Sequence, residues 1–312
     1  YMGTGLDVDL SAWIPWATLL TLVLAFFVSK RWYLTDPSPV KGIGLRWIRW
    51  FLAGWAFATG AFAMSEDGVG ILRLFAIGFL AWGFFETVRN WFFVNAWSRN
   101  EWPLFPKYLV QEEGEWPVNV RFFEIRQWLR DSEFSELGFY KAFYEGMPIE
   151  GVGVFEDKKK CCRVSVYLRP NENGHFVDQV AFVSHTATGE RVVTDNLSIA
   201  FGGVYPMHWW LTRKPLIRSI DKLHKIHTTA IQERGWTLVP FDSDPLEDME
   251  ESQRIMEKLN EKAGYLNPRA FRSEFGKFTG EARYEIWKRI WLMNYFGLSP
   301  RSKQTDVEDS QA

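Results

Sequence analysis

A cluster of three polar residues lies in the third apolar run of this 312-residue chain. Glu86, Arg89 and Asn90 are spaced by three and four positions, which places them on one face of a helix. Ionisable groups inside a membrane span are costly, so they are candidates for a pore, a substrate path or a contact between helices. The structural alternative is that Arg89 extends to the membrane interface and Glu86 neutralises its charge. We favour the structural interpretation.

A second candidate lies on a later helical pattern, where Asp221, His224 and His227 follow one another at spacings of three. Two imidazoles one turn apart can share a metal ion, but zinc requires three or four protein ligands. His227 also shares its helical face with Ile220 and Leu223, which is typical of a hydrogen-bonded core histidine. We therefore name these residues as a candidate ligand or metal site, prefer the core interpretation, and expect no cofactor.

The remaining chemistry-bearing residues form no recognisable motif. Cys161 and Cys162 are adjacent on an alternating segment, so they point to opposite faces of a strand and lack the spacing of a redox pair. The sequence contains no serine elbow, P-loop, kinase motif or H-E-x-x-H motif. It offers no catalytic residues, which favours a protein that is not an enzyme.

Three apolar runs precede residue 98 and determine the cellular class that the sequence predicts. They cover residues 13–29, 47–64 and 71–97, and each is long enough to cross, or nearly cross, the hydrocarbon layer as a helix. The first run has no polar face, unlike a core helix of a soluble protein. We therefore expect residues 1–98 to form a domain of three transmembrane helices, with the lipid bilayer as its partner.

The basic residues of the connecting segments predict the orientation. Residues 1–12 carry no Lys or Arg, residues 29–50 carry five of them, and residues 65–70 carry two acids and no base. This alternation predicts an external N-terminus and a cytoplasmic location for everything after about residue 98. A plasma membrane or bacterial inner membrane is expected, and both cysteines should stay reduced there.

The rest of the chain reads as a linker at 99–119, a cytoplasmic α+β domain at 120–298 and a disordered tail at 299–312. Helices are predicted from about residue 120, at 216–234, from the acidic segment to about 263, and at 281–295. Alternating apolar residues predict strands, and their short links favour an antiparallel meander packed on helices. The predicted strands are 139–144, 152–155, 161–168, 176–185 and 191–194.

The composition narrows the function further. The formal net charge of −2, from 36 basic and 38 acidic side chains, argues against a nucleic-acid partner. The leading hypothesis is a non-enzymatic integral membrane protein whose cytoplasmic domain senses a ligand or assembles with copies of itself or membrane partners. One alternative is a small channel or transporter subunit with the third span lining the pathway. The second is a membrane-tethered enzyme that uses Asp221, His224 and His227.

Overall fold

The structure is a computed structural model whose described residues fall into two compact units. Unit 1 comprises Tyr1–Phe93 and Ile290–Gly297, and unit 2 comprises Val94–Arg289 and Leu298–Ala312. The described ranges are 13–35, 38–64, 70–100, 103–111, 116, 120–145, 147–170, 176–197, 203–272 and 276–305. The chain passes from unit 1 to unit 2 between Phe93 and Val94, close to the domain boundary predicted near residue 98. The final turns of the last helix belong to unit 1.

Helices dominate unit 1. They are α1 Ile14–Thr35, α2 Pro39–Met64 and α3 Ile71–Arg99, whose last residues lie in unit 2. Among the described residues, α3 alone is long and apolar enough to cross a membrane, so the prediction of three N-terminal spans is not supported. The apolar stretch of α1 is shorter, at Pro15–Ser29. The first half of α2 carries basic residues, and its second half is rich in Ala and Gly, which are only weakly hydrophobic.

Glycines let aromatic side chains pack closely between α2 and α3. A Cβ atom added at Gly78 would lie 2.5 Å from Cβ of Phe57, and one at Gly83 would lie 2.6 Å from the ring of Trp50. Cβ of Phe57 is anchored to its backbone and cannot rotate away. The absence of a side chain at Gly78 is therefore a requirement of this packing.

We expect Gly78→Ala to destabilise the detergent-solubilised protein by about 1–3 kcal/mol, because overpacking forces the two helices apart. Thermal unfolding in detergent measures the effect. Gly44→Ala is the matched control on α2: its added Cβ meets nothing within 4 Å, so the helix-forming tendency of alanine leaves stability equal or higher. Equal unfolding temperatures for Gly78→Ala and the wild type would contradict this packing.

Unit 2 is α+β and is built on one large mixed sheet. In the described part of the chain, eight strands join in the order β1-β2-β3-β4-β5-β6-β8, with β9 paired to β5, while β7 and β10 form a separate pair. The strands are β1 Tyr108–Gln111, β2 Ser135–Tyr144, β3 Met147–Glu156, β4 Arg163–Pro170, β5 Phe176–Thr186, β6 Arg191–Asp195, β7 Val204–Pro206, β8 Trp209–Arg213, β9 Leu238–Val239 and β10 Lys303–Thr305.

The antiparallel meander is confirmed from β2 to β6. The prediction of an entirely antiparallel sheet is wrong, because β6 and β8 pair in parallel, as do β7 and β10. Parallel neighbours need a long connection. The chain between β6 and β8 includes β7, which gives it the length to return to the same end of the sheet.

Helices cover both faces of the sheet. On one face lie α4 Val120–Asp131 and α5 Ile220–Glu233, and on the other lies α6 Pro245–Lys262. A 3-10 turn at Arg269–Phe271 and α7 Gly280–Phe296 follow in the chain, and the last turns of α7 belong to unit 1. Val164 and Val166 of β4 pack in the core formed with α4 and α5, as their alternation predicts. Leu246 and Met249 of α6 pack on the opposite face.

Three local predictions need correction. The helix expected from residue 216 begins at Ile220, because the Ser219 side chain accepts a hydrogen bond from the Lys222 N–H and caps it there. Within the expected linker, Tyr108–Gln111 pairs with β2 as the edge strand of the sheet. Within the expected tail, Lys303–Thr305 pairs with β7, and residues 306–312 lie outside the described residues.

Candidate functional site

The most unusual group in unit 1 is the Glu86 cluster, which consists of Trp50, Glu86, Arg89 and Tyr295. The Glu86 side chain is fully buried on α3. Its Oε2 accepts a hydrogen bond from Nε1 of Trp50 at 3.0 Å and another from the hydroxyl of Tyr295. Two donors from sequence-distant segments therefore converge on one carboxylate oxygen.

The other oxygen of Glu86 is less well satisfied. Oε1 is buried and has no hydrogen-bond partner among the described residues. Nη2 of Arg89 lies 3.9 Å from it, and the Arg89 side chain is 52 % exposed. An ion pair of this length with an exposed arginine contributes little to stability. The sequence-predicted pairing of Glu86 with Arg89 is thus present but secondary.

Tyr295 reaches the Glu86 cluster from the last turns of α7. Its carbonyl oxygen accepts a hydrogen bond from Nε1 of Trp47 at 2.8 Å, and its ring packs against Trp50 with centroids 5.1 Å apart. Burial and the hydrogen bond donated to Glu86 raise the pKa of the Tyr295 hydroxyl above its ordinary value. Tyr295 therefore stays protonated and remains a donor at physiological pH.

Asn90 has a smaller role than its spacing suggested. It is half-buried on α3, and the hydrogen bonds and ion pair of Glu86 within the described residues do not include it. Sequence reasoning missed Trp50 and Tyr295, because nothing in local spacing links position 86 to position 295. The signal available was the amphipathic character of Trp and Tyr, which need a polar partner when buried.

Chemically, the Glu86 cluster acts as an anchor between helices. Its carboxylate accepts hydrogen bonds from α2 and from the last turns of α7, so one side chain of α3 holds two other segments of unit 1. The carboxylate is fully buried, and both side chains that donate to it belong to aromatic residues, Trp50 and Tyr295. These contacts favour the structural interpretation of the cluster over a pore.

His227 lies in the core of unit 2 with both ring nitrogens hydrogen-bonded. Nε2 lies 3.0 Å from Oγ of Ser184, and Nδ1 lies 3.0 Å from Oγ1 of Thr194. Burial, together with the nearby His224, lowers the pKa of His227 to about 3, so the ring is neutral at physiological pH. This is the environment of a satisfied core histidine.

The other two residues of that candidate site point elsewhere. His224 is half-buried among aromatic rings, with its ring centroid 5.3 Å from those of Trp128 and Phe182. Asp221 pairs with Nζ of Lys225 at 2.8 Å on the exposed face of α5. Within the described ranges, no group of three or more His, Cys, Asp or Glu side chains could hold a metal ion.

The adjacent cysteines differ in environment. Cys162 is buried beside Ser184, and burial raises the pKa of its thiol to about 12. Cys161 is partly exposed, and burial again raises its pKa. Both backbone N–H groups donate to Oδ1 of Asp157, at 2.7 and 3.0 Å, which fixes the turn. Neither thiol is activated as a nucleophile.

Three arginine–carboxylate pairs in unit 2 were not identified from the sequence. Each connects a strand to a neighbouring element and lies mostly out of solvent. They are Arg163 with Glu156 at 2.9 Å, Arg191 with Asp248 at 2.7 Å and Arg213 with Asp195 at 2.7 Å. An arginine that alternates with apolar residues along a strand is expected to face solvent. The sequence pattern did not predict that α6 covers this face of the sheet.

No family model, curated protein or solved structure shows significant similarity to this chain.

Proposed function

We propose that this protein is a non-enzymatic integral membrane protein in which α3 crosses the bilayer and unit 2 is a cytoplasmic domain. In this proposal, unit 2 senses a ligand or assembles with copies of itself or with membrane partners. The proposal is supported by the outward-facing apolar side chains of unit 1 and by the well-formed α+β domain that follows.

The observation that carries the proposal is the exposure of α3. Only 17 % of its most apolar 18-residue window is buried, whereas a core helix of similar composition would be mostly buried. Large apolar side chains on all three helices face outward, and a soluble monomer rarely exposes so large a contiguous apolar surface. Examples are Leu20, Leu24 and Phe27 on α1, Phe51 and Phe62 on α2, and Leu72, Leu80 and Phe84 on α3.

Fractionation of cells that express the full chain tests membrane integration. We expect the protein in the membrane pellet, resistant to alkaline carbonate and released only by detergent, because the apolar faces of the helices require lipid or detergent. Protein recovered in the soluble fraction without detergent would contradict the proposal. A peripheral protein would instead be released by carbonate.

The proposed sidedness has its own experiment, which uses single cysteines in a Cys161→Ser, Cys162→Ala background. Asp67→Cys lies in the segment predicted outside, and Lys225→Cys lies on an exposed site of unit 2. A membrane-impermeant maleimide applied to intact cells should label Asp67→Cys alone. Labelling of Lys225→Cys under the same conditions would overturn a cytoplasmic unit 2.

Self-association through α3 is the assembly part of the proposal. Leu80 and Phe84 of α3 are exposed in the single chain. Their apolar side chains suit contact with a second copy of the protein. Mass photometry of detergent-purified protein should show dimers or larger species. Only monomers, at all accessible concentrations, would contradict it.

A further inference from the structure

His185 lies half-buried on β5, and its ring is hydrogen-bonded to an arginine of the neighbouring strand. Nη1 of Arg191, on β6, lies 2.9 Å from Nε2 of His185. An arginine is always charged and can only donate, so Nε2 of His185 accepts and the ring is neutral, with its proton on Nδ1. This hydrogen bond therefore exists in only one protonation state of His185.

The same arginine anchors the start of α6 to the sheet. Nη1 and Nη2 of Arg191 donate to Oδ1 and Oδ2 of Asp248 at 2.7 and 2.9 Å, and Asp248 belongs to the first turn of α6. The side chains of Arg191 and Asp248 are only 13 % and 12 % exposed. Because the pair is bidentate, it holds the guanidinium in one plane and uses both carboxylate oxygens. Arg191 thus connects His185 directly to α6.

A second arginine adjoins His185 through the ring of Phe241. The ring centroids of His185 and Phe241 are 4.6 Å apart, and Cζ of Arg163 lies 4.1 Å from the Phe241 centroid. Nε of Arg163 donates to Oε1 of Glu156 at 2.9 Å, and Nη2 donates to the Ser243 carbonyl oxygen at 2.6 Å. Among the described residues, the buried Nη1 of Arg163 has no hydrogen-bond partner. The surroundings of His185 thus contain two cations and a donor that already lacks an acceptor.

Burial and the neighbouring cations both favour the neutral form of His185. Burial is the largest cause of a pKa below the ordinary value of 6.5, and the charges of Arg191 and Arg163 lower it further. Asp248 and Asp242 act in the opposite direction without reversing the shift. Part of the His185 side chain remains in contact with solvent, so a proton from solution can reach it.

We propose that protonation of His185 releases the start of α6 from the sheet, so that unit 2 contains an acid-sensitive switch. A protonated imidazole donates from both nitrogens, so it repels Arg191 across the 2.9 Å contact instead of accepting from it. When Arg191 withdraws, it loses the geometry of its bidentate pair with Asp248. The inference goes beyond the role proposed for unit 2, because it names a proton as a trigger.

Release of α6 has a defined structural consequence. Leu246 and Met249, at the start of α6, pack on an apolar face of the sheet that includes Val152 and Val154. Loosening of residues 241–249 exposes this face to solvent. The pH therefore controls whether an apolar surface of unit 2 is covered.

Hydrogen–deuterium exchange of the full-length protein in detergent tests the switch. Exchange rates are read by mass spectrometry and divided by the intrinsic rate at each pH. Opening takes up at most one proton at His185, so exchange of residues 241–249 should rise severalfold, and at most about tenfold, between pH 7.5 and pH 5.5. Exchange of α5 should not rise with it. A flat profile for residues 241–249, or an equal rise in α5, would overturn the switch.

His185→Gln assigns the effect to this side chain. Glutamine offers Arg191 a neutral acceptor and does not titrate, so residues 241–249 should stay protected at pH 5.5. His208→Gln, at an exposed position, is the matched control and should keep the wild-type profile. Equal profiles for His185→Gln and the wild type would contradict the assignment.

Asp248→Asn provides a second variant in case His185→Gln does not fold. It removes the carboxylate that Arg191 binds, so residues 241–249 should exchange faster already at pH 7.5. Unchanged protection there would show that the Arg191–Asp248 pair does not anchor α6 and would overturn the proposal. Membrane fractionation is independent of these results, so failure of the switch is distinguishable from failure of the membrane proposal.

Discussion

Glu86→Ala is expected to lower the stability of the detergent-solubilised protein by about 3–5 kcal/mol, because two buried donors lose their acceptor and a cavity replaces the carboxylate. The Trp50 indole N–H and the Tyr295 hydroxyl both donate to Glu86. Glu86→Gln keeps an acceptor oxygen and should cost less. Thermal or chemical unfolding in detergent measures the three proteins under the same conditions.

A double-mutant cycle separates the Glu86–Tyr295 hydrogen bond from general loss of packing. Tyr295→Phe removes only the hydroxyl, and the cost of Glu86→Ala should be smaller in that background than in the wild type. Glu124→Ala, on the exposed surface of α4, controls for the loss of a glutamate and should change stability by less than about 0.5 kcal/mol. Additive effects of Glu86→Ala and Tyr295→Phe would contradict the anchoring role.

Unit 2 should lose stability in acid through His227. The native ring is neutral with a pKa near 3, whereas an unfolded histidine has the ordinary value of 6.5. Between these values the unfolded state binds a proton that the native state does not, so stability falls as the pH drops. One pKa unit corresponds to about 1.4 kcal/mol, so His227 alone should remove about 2 kcal/mol between pH 7 and pH 5.

Comparison with His227→Gln isolates this contribution, because burial also lowers the pKa of His185 and His224. The variant should be less stable than the wild type at pH 7 and should show a shallower decline towards pH 5, since glutamine does not titrate. His208→Gln, on the surface, should keep the wild-type decline. If His227→Gln and the wild type decline in parallel, protonation of His227 in the unfolded state is not the cause of the acid destabilisation.

Local sequence patterns determined most of the secondary structure. The alternation of Val164 and Val166 sets which face of β4 enters the core, and the helical spacing of Leu223 and His227 sets the buried face of α5. Asp244 and Gly235 mark helix ends as their types predict: the Asp244 side chain caps α6, and Gly235 adopts the positive φ that follows α5. Each of these signals acts within a few positions, so the sequence alone carries it.

The composition predicted a membrane protein with three spans, and the structure supports a smaller number of spans. The apolar runs are helical, but α3 alone among the described residues has the length and hydropathy of a membrane span. Composition counts apolar residues without knowing which of them will face outward. The exposure of Leu80 and Phe84 is a property of the folded helices and cannot be read from their sequence.

Only the tertiary structure decided which distant groups meet. Tyr295 and Glu86 are 209 positions apart, and the parallel pairing of β6 with β8 follows a long connection. Hydrophobic periodicity specifies which face of an element is buried, but side-chain packing and hydrogen-bond satisfaction select its partner, and those depend on the whole chain.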